Sequence, residues 1–132
     1  MCIRDSINYW RNGWYAGLGP GAVSCLAGRR CRAIEDIDEF CRRIRSGQDW
    51  WSDIEELDAE ARFRETLVMG LRMTDGISMT GIARRFNIDI LAYYGNIVLQ
   101  LKEQGLVEQN GDRLRLSSAG MVFANQVMAR LV

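Results

Sequence analysis

The sequence predicts a mainly α-helical fold carrying one small β-hairpin, and three features carry that prediction. Residues 57–132 hold successive apolar stripes at helical spacing, each opened by a capping residue. Asn110-Gly111 lies between the alternating stretches "LVEQ" and "DRLRLS", the strongest short signal for a tight hairpin. Earlier, "IDEFCRRIR" places Ile37, Phe40, Cys41 and Ile44 on one helical face. The chain has 132 residues, 48% of them hydrophobic. A chain of that length buries roughly two-thirds of its unfolded surface.

The chain reads in segments. Residues 1–6, "MCIRDS", show neither a helical nor a strand period. Residues 7–28 are aromatic and glycine-rich, with a short strand expected around Trp14 to Leu18 and a loop through Gly17, Gly19 and Gly21. Glycine at that density allows positive φ and a close approach of backbone to a ligand or a second strand. The pattern loosely resembles a Gly-x-Gly dinucleotide loop. Such a loop must open a helix, whereas "SCLAGRRCRAI" follows with neither helix nor strand evident. A tight strand exit accounts for it as well. Residues 29–56 form a helical connector, in which Asp36, Asp38 and Glu39 precede Arg42, Arg43 and Arg45 and so complement the helix dipole. Gly47 stops this helix, and "QDWWSDIEELD" is loop whose tryptophans pack the connector onto a neighbouring surface.

In residues 57–132, Asp58 opens a helix through Met73 with Phe63, Leu67 and Leu71 in register. Ser78 caps a short helix with Ile82, Ala83 and Phe86 inward, and Asn87 suits its left-handed end. Asp89 caps a helix over 89–104 whose face is Leu91, Tyr94, Val98 and Leu101, and Gly105 closes it. Ser117 starts a last helix with Phe123, Val127 and Leu131 aligned. This order is that of a winged-helix-like domain.

Winged helices invite a DNA-binding regulator as an alternative function, and charge argues against it. The would-be reading helix, 89–104, carries Asp89, Lys102 and Glu103, one positive charge against two negative. Phosphate neutralisation by Lys and Arg supplies most non-specific affinity for nucleic acid. The whole chain balances 17 basic against 17 acidic residues, so it has no global field for nucleic acid or anionic lipid. No run of about 18 apolar residues is present to span a membrane, and the start has no secretory h-region. Cys2, Cys25, Cys31 and Cys41 match no zinc or redox spacing and read as reduced thiols of a cytoplasmic protein. Histidine is absent, which removes the commonest general base and metal ligand.

Two stretches carry a family resemblance. One is Asn8-Tyr9-Trp10 followed by Tyr15-x-Gly17-Leu18-Gly19-x-Gly21-Ala22; the other is the tail with Gly105-Leu106, Gly111-Asp112, Arg113 to Leu116, Gly120, Asn125, Val127 and Met128. From Ile7 to the C-terminus the chain resembles the C-terminal part of the oxygen-independent coproporphyrinogen III oxidase-like radical SAM proteins, within them the HemW heme chaperone branch. The family often has glycine where Asn87 stands, a mild departure because both residues tolerate that backbone conformation.

The resemblance implies that 7–28 is the last strand and glycine-rich loop of a truncated radical SAM barrel. Gly19, Gly21, Ala22 and Val23 would then wall part of the S-adenosylmethionine site of the intact parent. It implies that Tyr9 and Trp10 contact a porphyrin, packing beneath the loop being the alternative. In the heme chaperone branch a histidine-asparagine pair, the histidine implicated in holding heme, precedes the segment matching Ile7; Asp5 and Ser6 stand there instead. "MCIRDS" back-translates to the end of a widely used transposon-based sequencing adapter, so residues 1–6 are expected to be an adapter-derived scar. The parent family's [4Fe–4S] cluster needs three closely spaced cysteines, a triplet not found in this sequence. The fragment is therefore expected to hold no cluster, metal or cofactor and to catalyse nothing by itself. Heme binding and delivery is the expected parent function, with coproporphyrinogen oxidation as alternative. The expected partners are heme or porphyrin, the N-terminal barrel domain and a heme-acceptor protein.

Overall fold

A computed structural model describes residues 3–132; Met1 and Cys2, part of the expected scar, lie outside the described residues. The chain divides into two compact units, one of residues 3–12 with 59–132 and one of residues 13–58.

The larger unit begins with helix α1 (Ile3–Trp10). The smaller one contains β1 (Val23–Leu26), β2 (Arg29–Ala33), α2 (Ile37–Arg45) and β3 (Trp51–Glu56), with the strands in one antiparallel sheet of order β1-β2-β3. The chain then returns to the larger unit with α3 (Ala59–Leu71), β4 (Ile77–Ser78), α4 (Met79–Phe86), α5 (Ile90–Tyr94) and α6 (Asn96–Glu103). It ends with β5 (Val107–Asn110), β6 (Arg113–Leu116), α7 (Ser118–Val122) and α8 (Ala124–Ala129). The second antiparallel sheet has the order β4-β6-β5.

The larger unit has a continuous core. Phe63, Leu67 and Leu71 of α3 are fully buried against Ile90, Val98, Leu101, Leu114 and Val127. Phe63 is also ringed by aromatics, its centroid 5.0 Å from that of Tyr93, 5.9 Å from Phe86 and 6.0 Å from Tyr94. The buried Tyr94 hydroxyl donates to the Leu131 carbonyl at 2.6 Å, so α5 is tied to the C-terminus; burial pushes that phenol up to about 12.

Local chemistry sets most boundaries here. Ser78, Asp89 and Ser117 each accept from the backbone N–H three residues on, and Asn87 ends α4 at φ 56°. The Asn110-Gly111-Asp112 turn has a second task. The Asp112 carboxylate accepts from the Ser78 and Thr80 hydroxyls and from the Thr80 N–H, while its carbonyl accepts from the Met79 N–H. The hairpin thus clamps the first turn of α4, where backbone N–H groups lack helical partners. Those hydrogen bonds, from Ser78 first and then Thr80, hold Asp112 at about 2, well below the usual carboxylate range. Because the folded value is depressed, the stabilisation is present above pH 4 or so and is lost as pH falls toward about 2. Melting curves of the wild type and Asp112→Ala should therefore be separated at neutral pH and converge across that window. A separation independent of pH would refute the clamp.

Several expectations need correction. The fold is mixed α and β rather than mainly α with one hairpin, because two three-stranded sheets are present. The expected strand at Trp14 to Leu18 does not form; only Tyr15 bridges, to Cys25. The strand of this region is β1, and β2 follows through Ala27-Gly28, both at positive φ (52° and 87°) as a primed hairpin turn requires. The connector over 29–56 is not simply helical, since β2 and β3 flank α2. Strand β3 hides in a charged sequence because Asp53 and Glu55 face Arg32 and Arg30 across the ladder, with Arg30 bonded to Glu55 at 3.2 Å. The stripe of α2 is not a core face: no residue of that helix is buried, and Ile37 is 67% exposed. The helix expected over 89–104 breaks at Gly95, where φ is 47°, and the last helix breaks at Phe123. Residues 7–10, expected to lead into a strand, belong to α1, whose end is fixed by tertiary bonds: the Asn12 amide donates to Glu65 Oε2 and Thr66 Oγ1 at 3.1 Å each, and Arg85 donates to the Arg11 and Asn12 carbonyls.

Candidate functional site

Helical spacing brings Ser6, Ile7 and Trp10 of α1 toward one side, since residues three and four apart are neighbours on a helix. They form one wall of an open hollow of about 350 Å³, closed by Arg72, Met73, Thr74 and Asp75 at the end of α3. Trp10 is 38% exposed and Tyr9 49%, and the two rings meet edge to face with centroids 6.0 Å apart. Tyr9 is not among the residues that line the hollow. An accessible indole beside a thioether offers a flat, polarisable surface to an aromatic ligand. Ser6 faces the same space.

The second set of expected site residues, Gly19, Gly21, Ala22 and Val23, lies in the smaller unit. Tyr15 and Cys25 exchange backbone hydrogen bonds of 3.0 and 2.9 Å, and the loop between them folds back on itself. The Gly17 N–H donates to Ser24 Oγ at 3.0 Å, and a Cβ on Gly17 would fall 2.4 Å from the Val23 carbonyl oxygen. Gly21 at φ 70° donates to the Ile34 carbonyl, while Ala22 accepts from Ala33. Gly19, at φ 105°, stands beside an exposed Leu18 with no atom where its Cβ would be. The loop therefore presents bare backbone at its tip, a surface that a ligand can approach closely. Tyr9 and Trp10 belong to the other unit, so the two sets are separate groups of residues, each within its own unit.

The cysteines do not converge. In the β1–β2 register Ser24 opposes Cys31 and Cys25 opposes Arg30, so Cys25 and Cys31 point to opposite faces of the sheet. No group of three His, Cys, Asp or Glu residues placed to hold a metal occurs among the described residues, so these side chains do not fit an iron–sulfur cluster. On α6, Gln100 and Gln104 accept from the Arg130 guanidinium at 2.6 and 3.1 Å, and Lys102 donates to Gln109. Gln100 and Gln104, two of the polar side chains that a base-reading helix would present, are thus engaged within the protein. No helix among the described residues is long and apolar enough to cross a membrane.

The family model of the HemN C-terminal domain matches residues 57–123. The chain is 24% identical over 127 residues to the heme chaperone HemW of Bacillus subtilis, covering 96% of the chain and 34% of that protein. It is 25% identical over 132 residues to the heme chaperone HemW of Mycobacterium tuberculosis, covering 98% of the chain and 31% of the relative. The chain spans about a third of the length of the curated relatives it matches. Among solved structures, coproporphyrinogen III oxidase from Escherichia coli, described as a radical SAM enzyme, shares the fold with a TM-score of 0.69 at 11% identity; the match covers 90% of this chain and 28% of that one.

Proposed function

Because the chain belongs to the family of the HemN C-terminal domain, we propose that it is the C-terminal part of a radical SAM heme chaperone, a protein that binds heme and delivers it to an acceptor. The observation that carries this reading is the near-complete alignment of the chain with HemW proteins of two distant bacteria, against only about a third of their length. In this reading the larger unit contains a winged-helix-like module used for packing rather than for DNA. The smaller unit supplies the barrel's last segment.

The smaller unit supports that role by what it leaves uncovered. Trp14, Leu18, Ile37, Ile44 and Ile54 are exposed, and α2 buries none of its residues. Exposed apolar residues of this kind suit a face that packs against the rest of a longer protein. The Gly19 tip would lie toward S-adenosylmethionine in that assembly, with Gly21, Ala22 and Val23 continuing the wall. The cluster that activates S-adenosylmethionine would come from the N-terminal part.

The reading frame upstream of codon seven in the source genome tests the proposal. It should continue through a histidine-asparagine pair to a three-cysteine cluster, and the intact protein should bind hemin stoichiometrically without oxidising coproporphyrinogen III. Turnover of coproporphyrinogen III would favour the oxidase instead. A frame with no cysteine triplet would overturn the family role.

A further inference from the structure

Beside the hollow under Trp10 lies a second one of about 330 Å³, and Met73 belongs to the walls of both. Both volumes exceed the lower limit of about 300 Å³ at which ligand clefts begin. The chemistry of the second hollow is divided. Its floor is apolar, built from Met73, Ile77 and Ile82, and its rim carries Arg11, Arg85 and Arg113. No carboxylate is among the described residues that line it, in a chain whose basic and acidic residues are equal in number. Arg85 is held in place, donating to the Arg11 and Asn12 carbonyls at 3.0 and 2.7 Å and lying 5.0 Å over the Phe86 ring. The Arg11 and Arg113 side chains form no ion pair among the described residues, although Asp112 adjoins Arg113 in the chain. Two guanidiniums with donors to spare, backed by a third fixed cation, make a carboxylate-binding rim, because the guanidinium fork matches a carboxylate in geometry and charge.

The two hollows together present a flat apolar surface at Trp10 and Met73 and a cationic edge at Arg11 and Arg113. A heme-type tetrapyrrole has the complementary division, a planar apolar ring with two carboxylates on one edge. We infer that Arg11 and Arg113, supported by Arg85, anchor the carboxylate edge of a tetrapyrrole whose ring lies against Trp10 and Met73. This inference rests on the proposed heme-handling role and names how this chain's own residues hold the cargo.

Metal-free protoporphyrin IX and its dimethyl ester separate the anchor from iron ligation, since neither carries iron and the ester has no carboxylate. The present chain, an Arg11→Ala/Arg113→Ala variant and an Arg11→Lys/Arg113→Lys variant are titrated at low and high salt by porphyrin absorbance, with circular dichroism to confirm the fold. Both positions are exposed, so the fold should persist. Protoporphyrin IX should bind the alanine variant about tenfold more weakly, and the lysine variant should fall between because it keeps charge but not the fork. High salt should weaken only the free acid, and the ester should not distinguish the three proteins. Equal binding of the free acid by all three would overturn the anchor and leave the heme reading standing. Binding of neither porphyrin would overturn the anchor, while the heme reading would stand or fall on hemin binding by the intact protein.

Discussion

Gly76→Ala is expected to unfold the larger unit at temperatures at which Gly111→Ala leaves it intact. The two glycines have nearly the same backbone conformation, φ 61° at Gly76 and 57° at Gly111. An alanine in the left-handed region costs about 1–2 kcal/mol wherever it stands. Their surroundings differ. At Gly111 no atom lies within 4 Å of the added Cβ, so only the conformational cost applies. At Gly76 the Cβ would fall 2.2 Å from the Leu114 carbonyl oxygen and 2.5 Å from the Arg115 Cβ. Leu114 pairs with Ile77 to join β4 to β6, so relief of the clash would part those strands. Overpacking of this kind adds about 1–3 kcal/mol, which makes the total roughly 2–5 kcal/mol. At about 4–8 °C for each kcal/mol in a unit of this size, the overpacking lowers the melting temperature of Gly76→Ala by at least about 4 °C beyond the conformational cost it shares with Gly111→Ala. Equal falls for the two variants would show that β4 does not pack against β6 as described.

The contrast between these glycines also shows what the sequence discloses and what it withholds. Gly111 is legible because its role is local: Asn-Gly between alternating residues predicts the turn that forms. Ser78, Asn87, Asp89 and Ser117 are legible for the same reason, since each acts on backbone within four residues. Gly76 reads only as a turn; its closeness to Leu114 is a tertiary fact 38 positions away. The β1–β2 hairpin escapes because Ala27 occupies a left-handed position that usually signals itself by Asn or Gly. Strand β3 escapes because its partners are charges on another strand, and α1 because its end is fixed by Glu65, Thr66 and Arg85 rather than by a local stop. At the candidate site, resemblance names Tyr9 and Trp10, of which only Trp10 lines the hollow. Arg72 to Asp75, which complete the hollow, are some 60 residues distant and carry no sequence signal of their own.

Heme affinity should respond to the two residues before Ile7 more strongly than to any other pair of substitutions in this segment. The present chain has no histidine, so iron in a heme resting against Trp10 would lack its usual nitrogen ligand. Asp5→His with Ser6→Asn restores the pair that the resemblance assigns to this place. Ser6 already borders the hollow with Trp10, so the altered segment is adjacent to the surface on which the ring would lie. Hemin should therefore bind the doubly substituted chain at least about tenfold more tightly, each tenfold corresponding to about 1.4 kcal/mol, and the Soret band should move toward a histidine-ligated position. Trp10→Ala in the same background should lose much of the gain without shifting the band back, because it removes stacking area and leaves the ligand. Thiolate is the competing ligand: Cys31 is half-buried and its strand carries Arg29, Arg30 and Arg32, whereas Cys25 is buried. A Cys25→Ser/Cys31→Ser protein isolates that contribution. If the unmodified chain and this cysteine-free form bind hemin as tightly as the histidine-bearing chain, iron is held by neither the restored histidine nor these thiols, and the hollow at α1 is not where heme is held.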